Sequence, residues 1–173
     1  MKRVLSMLLA LAALALPPAA AQSLAVPQAV ALPPLAAEAV VLTVAGPAGE
    51  RRYSLAELEA LGTFGVHTST FWPVDDGHYV GPTLAAVLAD AGLGEAAAVR
   101  VVAMDGFSQI LPRSDWERWP VLLATRRDDQ PMRRRDKGPL RIIYPRDMDA
   151  ALQDTRYRLR WVWLVTRIEA AAP

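Results

Sequence analysis

The sequence has 173 residues, of which 53% are hydrophobic and 21% charged, and it contains no cysteine. This length suits one domain of ordinary size. A formal net charge of +1 excludes a strongly basic nucleic-acid binder on bulk charge. The missing cysteines exclude disulfides, thiolate metal sites and cysteine nucleophiles, and 2 histidines argue against a histidine-rich metal site.

The first 21 residues have the three parts of an export signal. Lys2 and Arg3 form a basic start, an apolar run extends from Leu8 to Leu16, and small residues end at Ala21. The apolar run is short for a membrane span. We therefore expect cleavage after Ala21 and a periplasmic mature chain beginning at about Gln22. Residues 22–38 are rich in proline and alanine, which is typical of a linker or an extended arm.

Short strands dominate the remaining chain. Residues 39–45 and 51–54 predict a hairpin, and Ser54 and Glu57 have the capping-box spacing of a short helix that ends at Gly62. Thr83–Ala91 predicts a second helix. Further strands are predicted over 66–72, 99–104, 108–111, 121–124 and 140–144, and a long final strand over 157–168. This pattern predicts a compact, mainly β domain of the α+β class with a few short helices, over residues 39–169, before a tail at 170–173.

Residues 67–79 are the first stretch with unusual chemistry. They read either as a polar hairpin with a tryptophan covering the core, or as the wall of a pocket. In the second interpretation Trp72 is a stacking surface, and Thr68 and Thr70 supply hydroxyl donors. A metal site is also conceivable, but the spacing of its histidines is not that of a helical ligand pair; its ligands would be His67, His78 and Asp75 or Asp76.

Two further stretches carry charge at marked positions. Asp105 lies in an Asp-Gly pair that indicates a turn, and its carboxylate could accept two hydrogen bonds from an amidine-like edge such as that of a pterin. Residues 126–146 hold eight cations and three acids, which indicates either a solvated loop or an anion-binding or docking face. Lys137 is the only lysine after the export signal.

The order of the motifs resembles that of a known family. VLTVAG is followed by RRYSLAELEAL, TSTFW at 68–72, GPTLAAVL at 81–88, DGF at 105–107, DKGPLRIIYP at 136–145 and a final WVWLVTRIE. The sequence is similar to the molybdopterin-binding oxidoreductase domain of the sulfite oxidase family, in its small exported form. The resemblance covers about residues 39–169 and implies a compact, mainly β fold.

The resemblance also implies a cofactor site. Catalytic members hold a molybdenum–pyranopterin cofactor through a cysteine thiolate, and Thr68 or a near neighbour stands at that place here. Because neutral threonine is a poor substitute for a thiolate, we expect a bound pterin without molybdenum and no catalytic residues. The resemblance places cofactor-binding residues in the pocket-forming segments, including Arg141 as a contact to a phosphate or pterin oxygen: Thr68, Thr70, Trp72, Asp105, Asp136, Lys137 and Arg141.

Three functions follow from these expectations. The first is a non-catalytic pterin-binding protein that acts with the periplasmic domain of a membrane sensor or a cyclic-di-GMP enzyme, as cysteine-less relatives of this kind do. Arg133, Arg134 and Arg135 are then assigned to the partner face. The second is a molybdopterin-dependent oxidoreductase without the usual cysteine ligand. The third is an interaction protein that kept the fold and lost its ligand.

Overall fold

A computed structural model of the chain describes residues 25–36, 39–47 and 49–172. The predicted export signal lies outside these residues. The strands are β1 (Gln28–Ala29), β2 (Val40–Gly46), β3 (Gly49–Ser54), β4 (Phe64–Thr68), β5 (Gly77–Gly81), β6 (Ala98–Ala103), β7 (Ser108–Pro112), β8 (Leu122–Ala124), β9 (Arg126–Arg127), β10 (Gln130–Pro131), β11 (Arg141–Ile143) and β12 (Val165–Ala171). The α-helices are α1 (Leu55–Glu59), α2 (Leu84–Asp90) and α3 (Arg113–Arg118). This content confirms a mainly β domain of the α+β class.

The first sheet has five strands in the order β3-β2-β12-β6-β7. β2 and β3 form the predicted hairpin, β6 and β7 form another, and β12 pairs in parallel with β2 and antiparallel with β6. Alternate residues of β6 face the core, and Val99 and Val101 are fully buried there. Because β12 lies at the centre of this sheet and beside β6, the segment before β12 lies against the β6–β7 turn.

The second sheet has the order β1-β4-β5-β9-β10, and β8 pairs separately with β11. β1 lies within the segment predicted as a linker and pairs antiparallel with β4. The Val30 amide donates to the Thr63 carbonyl over 3.0 Å, and the Arg126 guanidinium donates to the Pro33 carbonyl over 2.7 Å. Residues 28–33 therefore lie on their own domain and cover the exposed edge of β4.

The helix ends follow the predicted chemistry. The Ser54 hydroxyl accepts from the Glu57 amide, and the Glu57 carboxylate accepts from the Ser54 amide over 2.7 Å, which completes the capping box of α1. The Thr83 hydroxyl caps α2 by accepting a hydrogen bond from the Ala86 amide. Gly62 has a φ of 105°, a conformation that glycine adopts without strain, and it turns the chain out of the helical region into β4.

The long strand predicted over 157–168 is wrong. Residues Thr155–Arg160 form a 3-10 helix, and β12 begins only at Val165. The Asp154 carboxylate caps this helix at the Arg156 amide, Tyr157 is its buried residue, and the chain is irregular from Trp161 to Leu164. The alternating apolar and basic residues therefore lie in a 3-10 helix and an irregular stretch, and not in a strand.

The predicted strand over 66–72 is also too long, because β4 ends at Thr68. Beyond it, the Ser69 amide donates to Asp147 and the Thr70 amide donates to Asp76. These side-chain acceptors replace ladder bonds, and a 3-10 turn follows at Pro73–Asp75. The sequence interpretation did not identify α3 or the strands β1, β5, β9 and β10.

Candidate functional site

A cavity of about 280 Å³ lies between the β6–β7 turn and the stretch that precedes β12. Four aromatic side chains line it, together with one carboxylate and one guanidinium. Its lining includes Trp72, Phe107, Trp161, Trp163, Asp105 and Arg158. Two of the residues predicted from the sequence, Trp72 and Asp105, thus meet at one cavity.

The aromatic walls support one another. The rings of Trp72 and Trp163 meet edge to face with centroids 4.7 Å apart. Phe71 lies edge-on to both Trp72 and Trp161, and Trp161 stacks on the buried Tyr144 at 6.1 Å. The indole Nε1 atoms of Trp161 and Trp163 are buried and have no acceptor among the described residues. The walls are therefore built of aromatic rings that pack on one another.

Lys137 lies beside the tryptophans of the cavity but is not one of its lining residues. Its Nζ lies 3.9 Å from the centroid of the Trp163 ring and 5.9 Å from that of Trp72. The same ammonium forms an ion pair with Asp75. Lys137 therefore contacts the residues that line the cavity through a cation–π interaction, and its ammonium already has a carboxylate partner.

Asp75 is the centre of a buried charge cluster. Its carboxylate lies 3.3 Å from the Arg141 guanidinium and 3.8 Å from that of Arg127, in addition to Lys137. Arg141 also donates to the Tyr79 hydroxyl over 3.0 Å, and that hydroxyl donates to the Asp75 carbonyl. Burial raises the pKa of Tyr79, so it stays neutral. Arg141 is fully buried and does not line the cavity.

The hydroxyls of Thr68 and Thr70, which were predicted as donors to a ligand, form hydrogen bonds with backbone groups. Thr68 donates to the Ser69 carbonyl over 3.1 Å and accepts from the Arg146 amide over 2.9 Å. Thr70 donates to the Trp72 carbonyl over 2.6 Å and accepts from the Trp72 amide over 3.0 Å. Both threonines are buried, and neither lines the aromatic cavity. Thr70 acts on the cavity indirectly, because it fixes the backbone of Trp72.

Asp136 lies at a second, more polar groove of about 550 Å³. Its carboxylate accepts from the Arg133 guanidinium over 2.6 Å, and this bond holds the pKa of Asp136 below its usual value. Arg133, Arg134 and Arg135 are exposed around the 3-10 turn Arg134–Asp136. The predicted partner-face residues are thus accessible, and Asp136 belongs with them and not with the aromatic cavity.

The two histidines do not form a metal centre with neighbouring acids. His67 and His78 stack at 4.4 Å across β4 and β5, and His78 Nδ1 lies 3.3 Å from an oxygen of Asp129. No group of three or more metal-ligating side chains occurs within residues 25–36, 39–47 and 49–172. In the same ranges, no helix is long and apolar enough to cross a membrane.

Four lining residues were not identified from the sequence as site residues: Phe107, Arg158, Trp161 and Trp163. Phe107 belongs to the turn that Asp105 begins, so the Asp-Gly signal could have located it. The other three were assigned to the long final strand. Their unusual composition, two tryptophans beside three alternating arginines, is the signal that could have identified them.

Comparison with known proteins agrees with the resemblance. The family model described as oxidoreductase molybdopterin binding domain matches residues 30–153. No curated protein matches the chain. Trp72, Asp105 and Phe107 lie within the matched residues, whereas Arg158, Trp161 and Trp163 lie beyond them. Because the match covers more than half of the sequence, the chain belongs to the family of oxidoreductase molybdopterin-binding domains.

Proposed function

We propose that this chain binds a pterin in the aromatic cavity and acts, without catalysis, as a ligand-dependent partner of a membrane signalling protein. The observation that carries the proposal is the cavity walled by Trp72, Trp161 and Trp163 with the Asp105 carboxylate in its lining. Flat heterocycles stack favourably on such rings. The cavity belongs to a molybdopterin-binding domain, which supports a pterin among the flat heterocycles that it could hold.

The size and polar groups of the cavity fit the pterin ring system. A volume of about 280 Å³ is just below the range of about 300–1,000 Å³ typical of small-molecule sites, which suits a ligand as small as one bicyclic ring. The Asp105 carboxylate accepts from the Phe107 amide over 3.0 Å, and no other donor among the described residues reaches it. Its second oxygen is free and its first keeps a lone pair, so both oxygens can accept from an amidine edge and Asp105 would orient the ring.

The donor set does not fit a molybdenum ion held by the protein. The family's metal ligand is a thiolate, and this sequence contains none. The Thr68 hydroxyl that stands in that segment is buried, neutral and already hydrogen-bonded to two backbone groups. We therefore assign no redox step to these residues. Pterin binding does not depend on that ligand, because the lining residues of the aromatic cavity supply stacking and hydrogen bonding.

Export and partnership complete the proposal. The basic start, apolar run and small-residue end of residues 1–21 support a periplasmic location. The exposed cations Arg133, Arg134 and Arg135 suit an acidic surface on the periplasmic domain of a sensor or a cyclic-di-GMP enzyme. In this proposal, pterin binding to the chain changes the partner's activity, so the chain acts as a ligand-sensing subunit.

Titration calorimetry with pterin and dihydropterin tests the proposed function. Trp72→Ala removes a stacking surface and should weaken binding roughly 5- to 150-fold. Trp119→Phe is the matched control, because Trp119 is a buried tryptophan outside the cavity lining, and it should leave the affinity unchanged. Absence of binding by the unaltered protein, or equal affinities for both variants, would contradict the proposal and favour an interaction protein without a ligand.

The alternative, an oxidoreductase that lacks the protein sulfur ligand, makes a different prediction. Protein co-expressed with the enzymes of molybdopterin synthesis would then contain stoichiometric molybdenum. Elemental analysis of that protein separates the two functions, since our proposal predicts pterin without stoichiometric metal.

A further inference from the structure

We infer that Arg158 binds an anionic substituent on the cavity's ligand, so that the site selects pterins that carry a carboxylate or phosphate group. The inference rests on the proposed function, because it requires the ligand to lie in the aromatic cavity. Arg158 lies beyond the residues that match the family model, so family membership does not assign it a role.

Three arginines alternate in one short segment, and they differ in their partners. Within the 3-10 helix Thr155–Arg160, the Arg156 Nε lies 3.4 Å from the carboxylate of Asp154. The Arg160 guanidinium lies 2.7 Å from the carboxylate of Asp115. Arg158 has no carboxylate within 4.0 Å and no hydrogen-bond acceptor among the described residues. The arginine without a partner is the one that lines the cavity.

The position of Arg158 is defined even without an ion pair. Its Cζ lies 5.4 Å from the centroid of the Trp72 ring, so the guanidinium is held over the proposed stacking surface by a cation–π contact. Such a contact does not use the N–H donors of the guanidinium, which form a planar fork suited to carboxylate and phosphate oxygens. Arg158 is therefore oriented towards the ligand's site with its hydrogen-bonding capacity unused.

Two other cations near the cavity already have a carboxylate partner, and neither lines the cavity. Lys137 and Arg141 share the Asp75 carboxylate, and Arg141 is buried away from the lining. A further anionic group on the ligand would meet its strongest available partner at Arg158. Among the described residues, Arg158 is therefore the one cation of the lining, and it has no carboxylate partner.

The two charged residues of the lining, Asp105 and Arg158, do not pair with each other. Asp105 and Arg158 both line the cavity, yet no ion pair within 4.0 Å joins them among the described residues. A pterin has a hydrogen-bond-donating amidine edge, which suits Asp105, and its substituent projects from another edge of the ring. A ligand with a donor edge and a separate anionic group would satisfy both residues at once, whereas an unsubstituted pterin would leave Arg158 without a partner.

Calorimetric titration with pterin and with pterin-6-carboxylate tests the inference. The unaltered protein should bind the carboxylate roughly tenfold or more tightly, as expected for a hydrogen bond to a charged group, and added salt should reduce that preference. Arg158→Gln should bring the ratio of the two affinities to about one, whatever its affinity for pterin itself, and Arg158→Lys should retain part of the preference. Arg156→Gln is the matched control in the same segment and should keep the full preference.

The outcomes separate the two proposals. Equal affinity of the unaltered protein for the two compounds, or an unchanged preference in Arg158→Gln, would overturn the role of Arg158 and leave pterin binding intact. Failure of the unaltered protein to bind either compound would overturn the proposed function itself and the inference with it. Because Arg158 is exposed, the variant should keep the Tm of the unaltered protein, which a thermal melt verifies.

Discussion

Replacing Asp75 by asparagine removes the one carboxylate that Lys137, Arg127 and Arg141 share. The side chains of Lys137 and Arg127 are 29% and 28% exposed, so both can turn towards water. Arg141 is fully buried and cannot, although it keeps its bond to the Tyr79 hydroxyl. Breaking a buried ion pair from one side costs about 3–5 kcal/mol, and the remaining bond places Asp75→Asn near the lower value, about 3 kcal/mol.

Urea unfolding followed by tryptophan fluorescence measures this loss. A cost of about 3 kcal/mol corresponds to a fall in Tm of roughly 6–12 °C for a domain of this size. The control is Asp128→Asn, which also removes an acid beside Arg127, but at a side chain that is 67% exposed. That control should cost less than about 1 kcal/mol. A loss for Asp75→Asn no larger than that of the control would refute the view that buried Arg141 depends on Asp75.

Three further variants test other parts of the account. Ser54→Ala removes the side-chain cap of α1 and should lower the free energy of unfolding by about 1 kcal/mol in a denaturant titration. Gly81→Ala should destabilise the fold, since its Cβ would lie 2.3 Å from the Leu123 carbonyl oxygen, and an unchanged Tm would contradict that packing. The Ala151 amide holds the pKa of Asp149 below its usual value, so this carboxylate stabilises the fold at pH values above that usual pKa. Thermal melts should accordingly show Asp149→Asn less stable near neutral pH, with the difference vanishing as the pH falls through the lowered pKa.

Local signals in the sequence predicted the framework of the domain. The hairpin of β2 and β3, the capping box of α1 and the helix α2 are set by residues close together in the chain, and all are present. The motif order predicted the family, which the match over residues 30–153 confirms. Trp72 and Asp105 were predicted for one site from that resemblance, and the fold brings both to one cavity.

The rest of the site depends on contacts between distant residues. Arg158, Trp161 and Trp163 lie in a stretch whose apolar and basic residues alternate as in a strand. Arg158 instead lies in a 3-10 helix capped by Asp154, and the two tryptophans lie in the irregular stretch after it. The sequence could not indicate that Asp75, far along the chain, would compensate Lys137 and Arg141. The sequence also could not show that the hydroxyls of Thr68 and Thr70 form hydrogen bonds with backbone groups.

The central claim is that the aromatic cavity holds a pterin, and the pterin content of the purified protein tests it most directly. The full chain is expressed, isolated from the periplasm and denatured in acid, and the released extract is examined for pterin fluorescence. A protein stripped of ligand is then titrated with reduced pterins. The account predicts stoichiometric pterin in the extract, or saturable rebinding that Trp72→Ala weakens. A pterin-free extract together with no binding of added reduced pterins would contradict it.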